Sequence, residues 1–497
     1  MRIRTRSILI MMFQGLTQAT QLILGMVLVR LISKEMLGSY RQVALSYALI
    51  AGIFSLQLES SLYYFMPKLG PQRRRELLTQ TLLTTGLLSL VISLAMFLTA
   101  GLFAAQFKNP QLATWIRIFA LFPLFERIIQ LQPAFLISLD KALYSGLYSM
   151  LSSLLMIGAV MSVFAAGYGV TEAVWAKVFI GALSAAAGIV LMAAFSRESQ
   201  WRFSKELWLE QVNYCWPLMA TTIVGIINLK MDGVLISSYF SKEVYAVYST
   251  GAMELPLLAL FTSSLASAIM PNMVAEAGKG NLSGALNLWH ESTRKSSLLI
   301  FPTFVFFLVC GYDFIVLLYT PDYSNAAWPF LIYLARLPVR VAIYASIFRA
   351  IGHTKPLAVA ALLSFVSNMI VSVILLFAGR HGFLSYIGPA IGTFFGTAVS
   401  VTFLLLLLCR KMNIRFAQVM RWKELGRIFG LALLCGGLLW LIPIPFESLL
   451  LKLIGRFILF MLFYICALIF TKSLKPDEWE LLLLPLALVR KIIRKES

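Results

Sequence analysis

The sequence predicts an all-α polytopic membrane protein with about fourteen transmembrane helices, two six-helix repeats followed by two C-terminal helices. Three observations carry this. Hydrophobic residues fill 60% of the 497 positions and charged residues only 13%, about half the charged share of an ordinary soluble domain, and mean hydropathy is +0.84. Apolar runs of the roughly 20 residues that cross a hydrocarbon core follow one another almost end to end. Lysine and arginine collect in alternate loops, as cytoplasmic loops do.

The first span covers residues 8–32. Its basic start, Arg2, Arg4 and Arg6, resembles a signal peptide, but the apolar stretch is too long for one and shows no clear cleavage site. It therefore reads as an uncleaved helix with the N-terminus inside. The second span, 38–65, closes at Met66-Pro67 and is followed by inner Lys68, Arg73, Arg74 and Arg75. Spans three and four cover 77–104 and 112–137, with Lys108 outside and Lys141 inside. Five and six, 142–166 and 171–195, lead to inner Arg197, Arg202 and Lys205. Seven and eight, 211–237 and 244–270, enclose outer Lys242 and precede inner Lys279, Arg294 and Lys295. Nine and ten, 293–319 and 326–350, end near Arg349 and Lys355. Eleven and twelve, 356–378 and 383–410, flank outer Arg380 and lead to Arg410, Lys411, Arg415, Arg421, Lys423 and Arg427. Thirteen and fourteen, 425–443 and 449–471, enclose outer Lys452. The tail from Pro476 to about Lys495 reads as a basic amphipathic helix lying in the interface. One-sided loading of this kind accounts for the net charge of +20; no basic stretch has the context that nucleic-acid recognition needs.

The chain also repeats itself. Ser33-Lys34-Glu35 recurs as Ser241-Lys242-Glu243, Met66-Pro67 as Met270-Pro271, and Trp115, Arg127, Lys141 and Gly169 as Trp328, Arg340, Lys355 and Gly382, at spacings of 204 to 214 residues. An even number of spans per copy gives both copies one orientation. The expected organisation is a six-helix half over 1–200, a second over 201–412, and two further helices with a basic tail over 413–497.

Several function classes drop out. No phosphate loop of the ATPase type occurs, and no long outer loop is available for a polymerase or ligase site. The five cysteines show no metal or disulfide spacing, and His290, His353 and His381 lie apart from carboxylate clusters. The expectation is a non-enzyme without cofactor or metal.

Ionisable side chains inside spans are the informative ones. Glu59, Glu126, Arg127, Glu254, Arg336 and Arg340 lie deepest; Arg30, Arg117, Lys177, Lys230 and Asp232 lie nearer the outer ends. Each charge at mid-membrane costs on the order of 2.5–3.5 kcal/mol, so these groups must face one another or water, and a hydrated central cavity satisfies both. Arg336 and Arg340, four apart, share a helix face, and Arg127 is the repeat partner of Arg340. Two readings stand. The arginines tie helices together through Glu59, Glu126 and Glu254, or, with Lys177 and Lys230, they line a basic cavity for an anionic head group. The surplus of cations and the bidentate fit of guanidinium to phosphate favour the second. Glu59, Glu126, Asp232 and Glu254 are then the cavity carboxylates and coupling-ion candidates. Pro338, between the two arginines, is the favoured bend; Pro123, Pro133, Gly225, Pro256, Pro302, Gly392 and Gly396 read mostly as packing residues.

Fourteen spans, two six-span repeats and a trailing pair resemble the multidrug/oligosaccharidyl-lipid/polysaccharide flippase superfamily. The stretch from Gly38-Ser39-Tyr40-Arg41-Gln42 to Tyr64-Phe65-Met66-Pro67-Lys68, and the turn Phe348-Arg349-Ala350-Ile351-Gly352-His353-Thr354-Lys355-Pro356, resemble its polysaccharide flippase branch. The resemblance implies carriage of undecaprenyl-pyrophosphate-linked oligosaccharide to the outer leaflet of the bacterial cytoplasmic membrane, with polysaccharide polymerase and chain-length machinery as partners. Gln14, Gln18, Gln21, Gln57, Tyr47, Tyr63 and Tyr64 serve either as sugar contacts or as interhelical hydrogen bonders. A drug/cation antiporter of the same superfamily would favour an acidic cavity, and a lipid II flippase would carry a fixed cargo on the same lipid. A sugar porter of the major facilitator type fits less well, because the loop from Pro67 to Glu76 lacks that family's pattern.

Overall fold

The computed structural model describes residues 3–196, 202–443, 446–475 and 478. Arg2, Arg197 and, apart from Glu478, the expected amphipathic tail lie outside them. Among the described residues the chain is helical and contains no strand. This is the form lipid imposes, since every backbone N–H and C=O within the hydrocarbon must be paired inside the chain.

In chain order the helices are α1 (Ile3–Leu31), α2 (Lys34–Ile53), α3 (Leu58–Phe65), α4 (Pro71–Gln106), α5 (Leu112–Phe119), α6 (Pro123–Ser138), α7 (Ala142–Ala165), α8 (Val170–Ala194), α9 (Lys205–Tyr239) and α10 (Lys242–Gly251). They continue as α11 (Pro256–Gly278), α12 (Leu282–Tyr319), a 3-10 turn (Pro321–Ala326), α13 (Ala327–Leu334), α14 (Arg336–Val339), α15 (Tyr344–Ala350), α16 (Lys355–Ala378), α17 (Phe383–Met412), α18 (Trp422–Leu441) and α19 (Leu449–Phe470). Helix covers each predicted apolar run. By length and composition, 10 of the described stretches can cross a membrane, or up to 11 when the bent pair α2 and α3 counts as one; the number fourteen is not reached by that measure. Large apolar groups stand on the surface, Phe470 at 91% and Trp440 at 74% exposure, while Gln42, Gln80 and Gln211 are fully buried. That inverted distribution suits a surface bathed in lipid tails.

Helices α4, α9 and α12 begin before their predicted spans, because hydropathy marks only the apolar window and a helix can run on into water. Arg294, read from sequence as an inner-side cation, lies on α12 and is buried against Glu478.

Four predicted spans are interrupted: the second between α2 and α3, the fourth between α5 and α6, the eighth between α10 and α11, and the tenth around α14. The α2 and α3 axes differ by 51°, and Gln57 between them takes left-handed φ 54°, a conformation a side chain disfavours. Proline opens both α6 and α11, where its missing N–H costs nothing. The interruptions fall at the second and fourth positions of each predicted six-span copy.

The chain packs as two compact units, Met1–Thr250 with Ser372–Pro389, and Gly251–Val371 with Ala390–Ser497. In the first, α6 packs on α3, α4, α7 and α8, and α2 packs on α5 and α9, over a core that includes Leu62, Phe65, Leu77, Leu131 and Phe135. In the second, α12 is the central helix, packed by α11, α13, α18 and α19, with Trp289, Phe301, Phe348, Phe460 and Tyr464 in its core.

Within the first unit α2 meets α10 at Gly38, where an added Cβ collides with the Lys242 carbonyl; Glu35 and Lys242 pair beside it at 2.6 Å. A backbone atom cannot rotate aside, so Gly38→Val is expected to destabilise by about 1–3 kcal/mol. Thermal unfolding of the purified variant checks this, and an unchanged midpoint would refute the contact.

Candidate functional site

The interrupted spans place the intramembrane charges. In the second unit Glu254 sits in the break between α10 and α11, Arg336 opens α14 and Arg340 follows its last residue. The two guanidiniums converge on one carboxylate oxygen: Arg336 Nη1 lies 3.3 Å and Arg340 Nη1 3.0 Å from Glu254 Oε1. Arg336 also donates from Nε to Thr397 Oγ1 at 3.1 Å and stands 5.4 Å from the Tyr333 ring centroid. Its side chain is only 14% exposed, whereas that of Arg340 is 51% exposed. Among the described residues, the ion pairs of this cluster set two cations against one anion.

In the first unit Glu126 and Arg127 lie in the first two turns of α6. Glu126 accepts from Tyr47 Oη and Gln130 Nε2. Arg127 donates from Nη2 to the Ala51 carbonyl at 2.7 Å, in the last turn of α2, where a cation complements the free carbonyls of a helix end. Arg127 and Glu59 line one narrow crevice at the break of the second span, together with Gln57 and Thr85. Lys177, on α8, stands over the rings of Phe119 and Phe122 at 5.4 Å each and of Tyr40 at 5.8 Å, a cation–π setting that holds the charge in place. Asp232 is 2% exposed and accepts from Tyr248 Oη at 3.2 Å. Lys230, two residues earlier on α9, is half-buried.

The predicted set thus resolves into Glu254, Arg336 and Arg340 in one unit and Glu59, Glu126, Arg127 and Lys177 in the other, with Lys230 and Asp232 on α9 in the latter. Among the aromatic candidates, Tyr64 stacks on Tyr214 with ring centroids 4.6 Å apart under the Lys68 ammonium. Sequence reasoning passed over Arg41, which lies inside the predicted second span and donates to Ala246 O, Ser249 Oγ and Thr250 Oγ1 at 2.8, 2.9 and 2.6 Å, capping the end of α10. It also passed over Asp313 of α12, held by Arg456 and Lys452 of α19 at 2.8 and 3.3 Å. Their presence within apolar runs was the available signal.

The sequence profile of the family described as polysaccharide biosynthesis protein matches residues 27–328, which is more than half the chain. The protein belongs to the polysaccharide biosynthesis protein family. No curated protein sequence matches it at a significant level. Among solved structures, the lipid II flippase MurJ in its inward closed conformation superposes with a TM-score of 0.73 at 16% identity, covering 93% of this chain and 99% of that one. An inward-facing multidrug resistance MATE transporter of the MOP superfamily gives 0.60 at 13%, covering 80% and 94%. A MOP superfamily transporter from Pyrococcus furiosus, described as having a binding pocket of reverse polarity, gives 0.57 at 15%, covering 82% and 95%. At such identities the likeness establishes the fold. This member of the polysaccharide biosynthesis family is a multi-pass membrane protein with a flippase and transporter fold.

Proposed function

We propose that the protein carries undecaprenyl-pyrophosphate-linked oligosaccharide from the cytoplasmic to the outer leaflet of the bacterial cytoplasmic membrane by alternating access, as a secondary transporter rather than an enzyme. The observation that supports it best is the cluster of Arg336, Arg340 and Glu254. One carboxylate cannot neutralise two guanidiniums, and the half-exposed Arg340 is free to exchange it for a diphosphate, to which arginine presents a bidentate fork. Arg127, Lys177 and Lys230 are proposed as further head-group cations, and Glu59, Glu126, Asp232 and Glu254 as their counter-charges or coupling-ion sites. Recurrence of the broken second and fourth spans supports a six-span duplication over 1–200 and 201–412, with 413–497 appended. The loop charges support cytoplasmic termini. A polysaccharide polymerase and its chain-length machinery are the partners this role requires.

The test is made in cells lacking the protein, with an impermeant reagent that reports which leaflet holds lipid-linked oligosaccharide. The expected result is accumulation on the cytoplasmic face, reversed by the wild-type gene and not by Arg340→Ala. A normal distribution between leaflets would remove the polysaccharide reading and bring forward drug or cation antiport on the same fold. Accumulation of lipid II alone would identify a lipid II flippase.

A further inference from the structure

We infer that Lys452 and Arg456 of α19, held by Asp313 of α12, form a binding site for the phosphate of an anionic phospholipid, in the leaflet where α12 ends and α19 begins. The site lies within the second unit, uses none of the residues assigned to the transport path, and does not depend on what the protein carries.

Lys452 and Arg456 are four residues apart on α19 and so share one face of it. Both direct their charge at one oxygen: Arg456 Nη1 lies 2.8 Å and Lys452 Nζ 3.3 Å from Asp313 Oδ2. Among the described residues, the ion pairs here set two cations against one carboxylate. A guanidinium carries five N–H donors, and Arg456 uses them sparsely: Asp313 is its one oxygen acceptor among the described residues, Nε is buried without a partner, and the buried Cys310 thiol stands beside it. Glu447, two residues before α19, is exposed, where water and salt screen it.

Depth and surroundings select the ligand. The 22 residues of α19 extend about 33 Å at 1.5 Å each, close to the ~30 Å of a hydrocarbon core. Its first turn therefore meets the head groups, and the Arg456 backbone lies roughly 10 Å deeper. Basic side chains at such depth run their stems along acyl chains and lift the charge toward the head groups. Lys452 and Arg456 keep side-chain exposures of 30% and 18%, and beside them in sequence Leu451, Phe457 and, on α12, Tyr312 are half-exposed, as on a surface that faces lipid. The part of a lipid that answers two cations is its phosphate, to which arginine presents parallel N–H donors. An anionic lipid is preferred, because the phosphate of a zwitterionic one already carries its own cation. The N-cap Ser448 gives no side-chain cap, so the first-turn amides of α19 add partial positive charge at the same end. Asp313 positions the two cations and competes with the phosphate for them.

Full-length protein in detergent, titrated with phosphatidylglycerol or phosphatidylcholine and read by native mass spectrometry, reports the lipids each form retains. Wild type is expected to hold phosphatidylglycerol more tightly than phosphatidylcholine. Lys452→Gln and Arg456→Gln should each weaken phosphatidylglycerol about fivefold, the share of one basic group at an anionic lipid surface. Asp313→Asn, which removes the competing anion, should bind it at least as tightly as wild type. Thermal unfolding in nanodiscs gives a second readout: Asp313→Asn should melt below wild type in phosphatidylcholine and recover in phosphatidylglycerol. Equal phosphatidylglycerol affinity in wild type and Lys452→Gln overturns the inference, whether or not Arg456→Gln folds. Equal affinity of wild type for the two lipids overturns it too, as does displacement of the lipid by excess inorganic phosphate, which would mark a site for the free anion. An Asp313→Asn variant destabilised alike in both lipids would show ion pairing between helices and nothing more.

Discussion

Under the proposed head-group role, replacing Arg336 with glutamine is expected to lower translocation of the proposed lipid-linked substrate by about 10- to 100-fold. The estimate follows from what the guanidinium does. Arg336 is the less exposed of the two cations on Glu254, fixed by Thr397 and lying beside Tyr333. Without it, Glu254 and Arg340 neutralise one another, and the second cation that supports anion binding is gone. A hydrogen bond to a charged group contributes about 1.5–3 kcal/mol, and each 1.4 kcal/mol is about a factor of ten. Arg336→Lys restores the charge without the planar fork and should recover only part of the rate. The opposite change, Glu254→Gln, releases both arginines and should hold substrate more tightly while slowing its release. The leaflet assay measures all three, and wild-type rates in Arg336→Gln would withdraw this cluster from the transport path.

Loss of the Glu478 carboxylate should lower stability substantially. Arg294 Nε lies 2.6 Å from Glu478 Oε1 and Nη2 lies 3.0 Å from Oε2, with side-chain exposures of 9% and 1%. The Lys475 amide also donates to Glu478 at 2.9 Å, so the carboxylate ties the chain after α19 to α12. Glu478→Ala strands the Arg294 guanidinium with Glu424 at 3.1 Å as its remaining counter-charge. Removing one partner of a buried pair typically costs about 3–5 kcal/mol, and the lower end is expected here because Glu424 remains. The double variant Glu478→Ala with Arg294→Met should recover much of that loss, since no buried charge is left unpaired. Unfolding of the purified proteins in one detergent provides the comparison. A single variant as stable as wild type would show that the pair carries no net stability.

Some features were readable residue by residue. Arg336 and Arg340 could be placed on one face because a helix repeats every 3.6 residues, and Pro338, the favoured bend, does sit at an interrupted span; Pro123 and Pro256, read mostly as packing residues, sit at interruptions as well. Gly225, Pro302 and Gly396 lie within the continuous helices α9, α12 and α17, in keeping with packing. The left-handed turn at Gln57 left no trace in the hydropathy pattern, since averaging over a window registers apolarity and not φ. Arg41 was lost for a related reason: a lone cation in an apolar run shows no partner until α10 is seen ending beside it.

The amino-acid sequence by itself determined the membrane class, the helical content, the alternation of loop charge and part of the set of ionisable groups inside the apolar runs. Each of these depends on composition or local spacing against a solvent whose demands are known: lipid requires paired backbones and penalises charge. Tertiary structure alone decided which charges meet. Glu254 reaches Arg336 and Arg340, and Glu59 shares a crevice with Arg127, because interrupted spans bring together residues some 70 to 90 positions apart. Such pairings depend on how helices pack and bend, and no local periodicity encodes them.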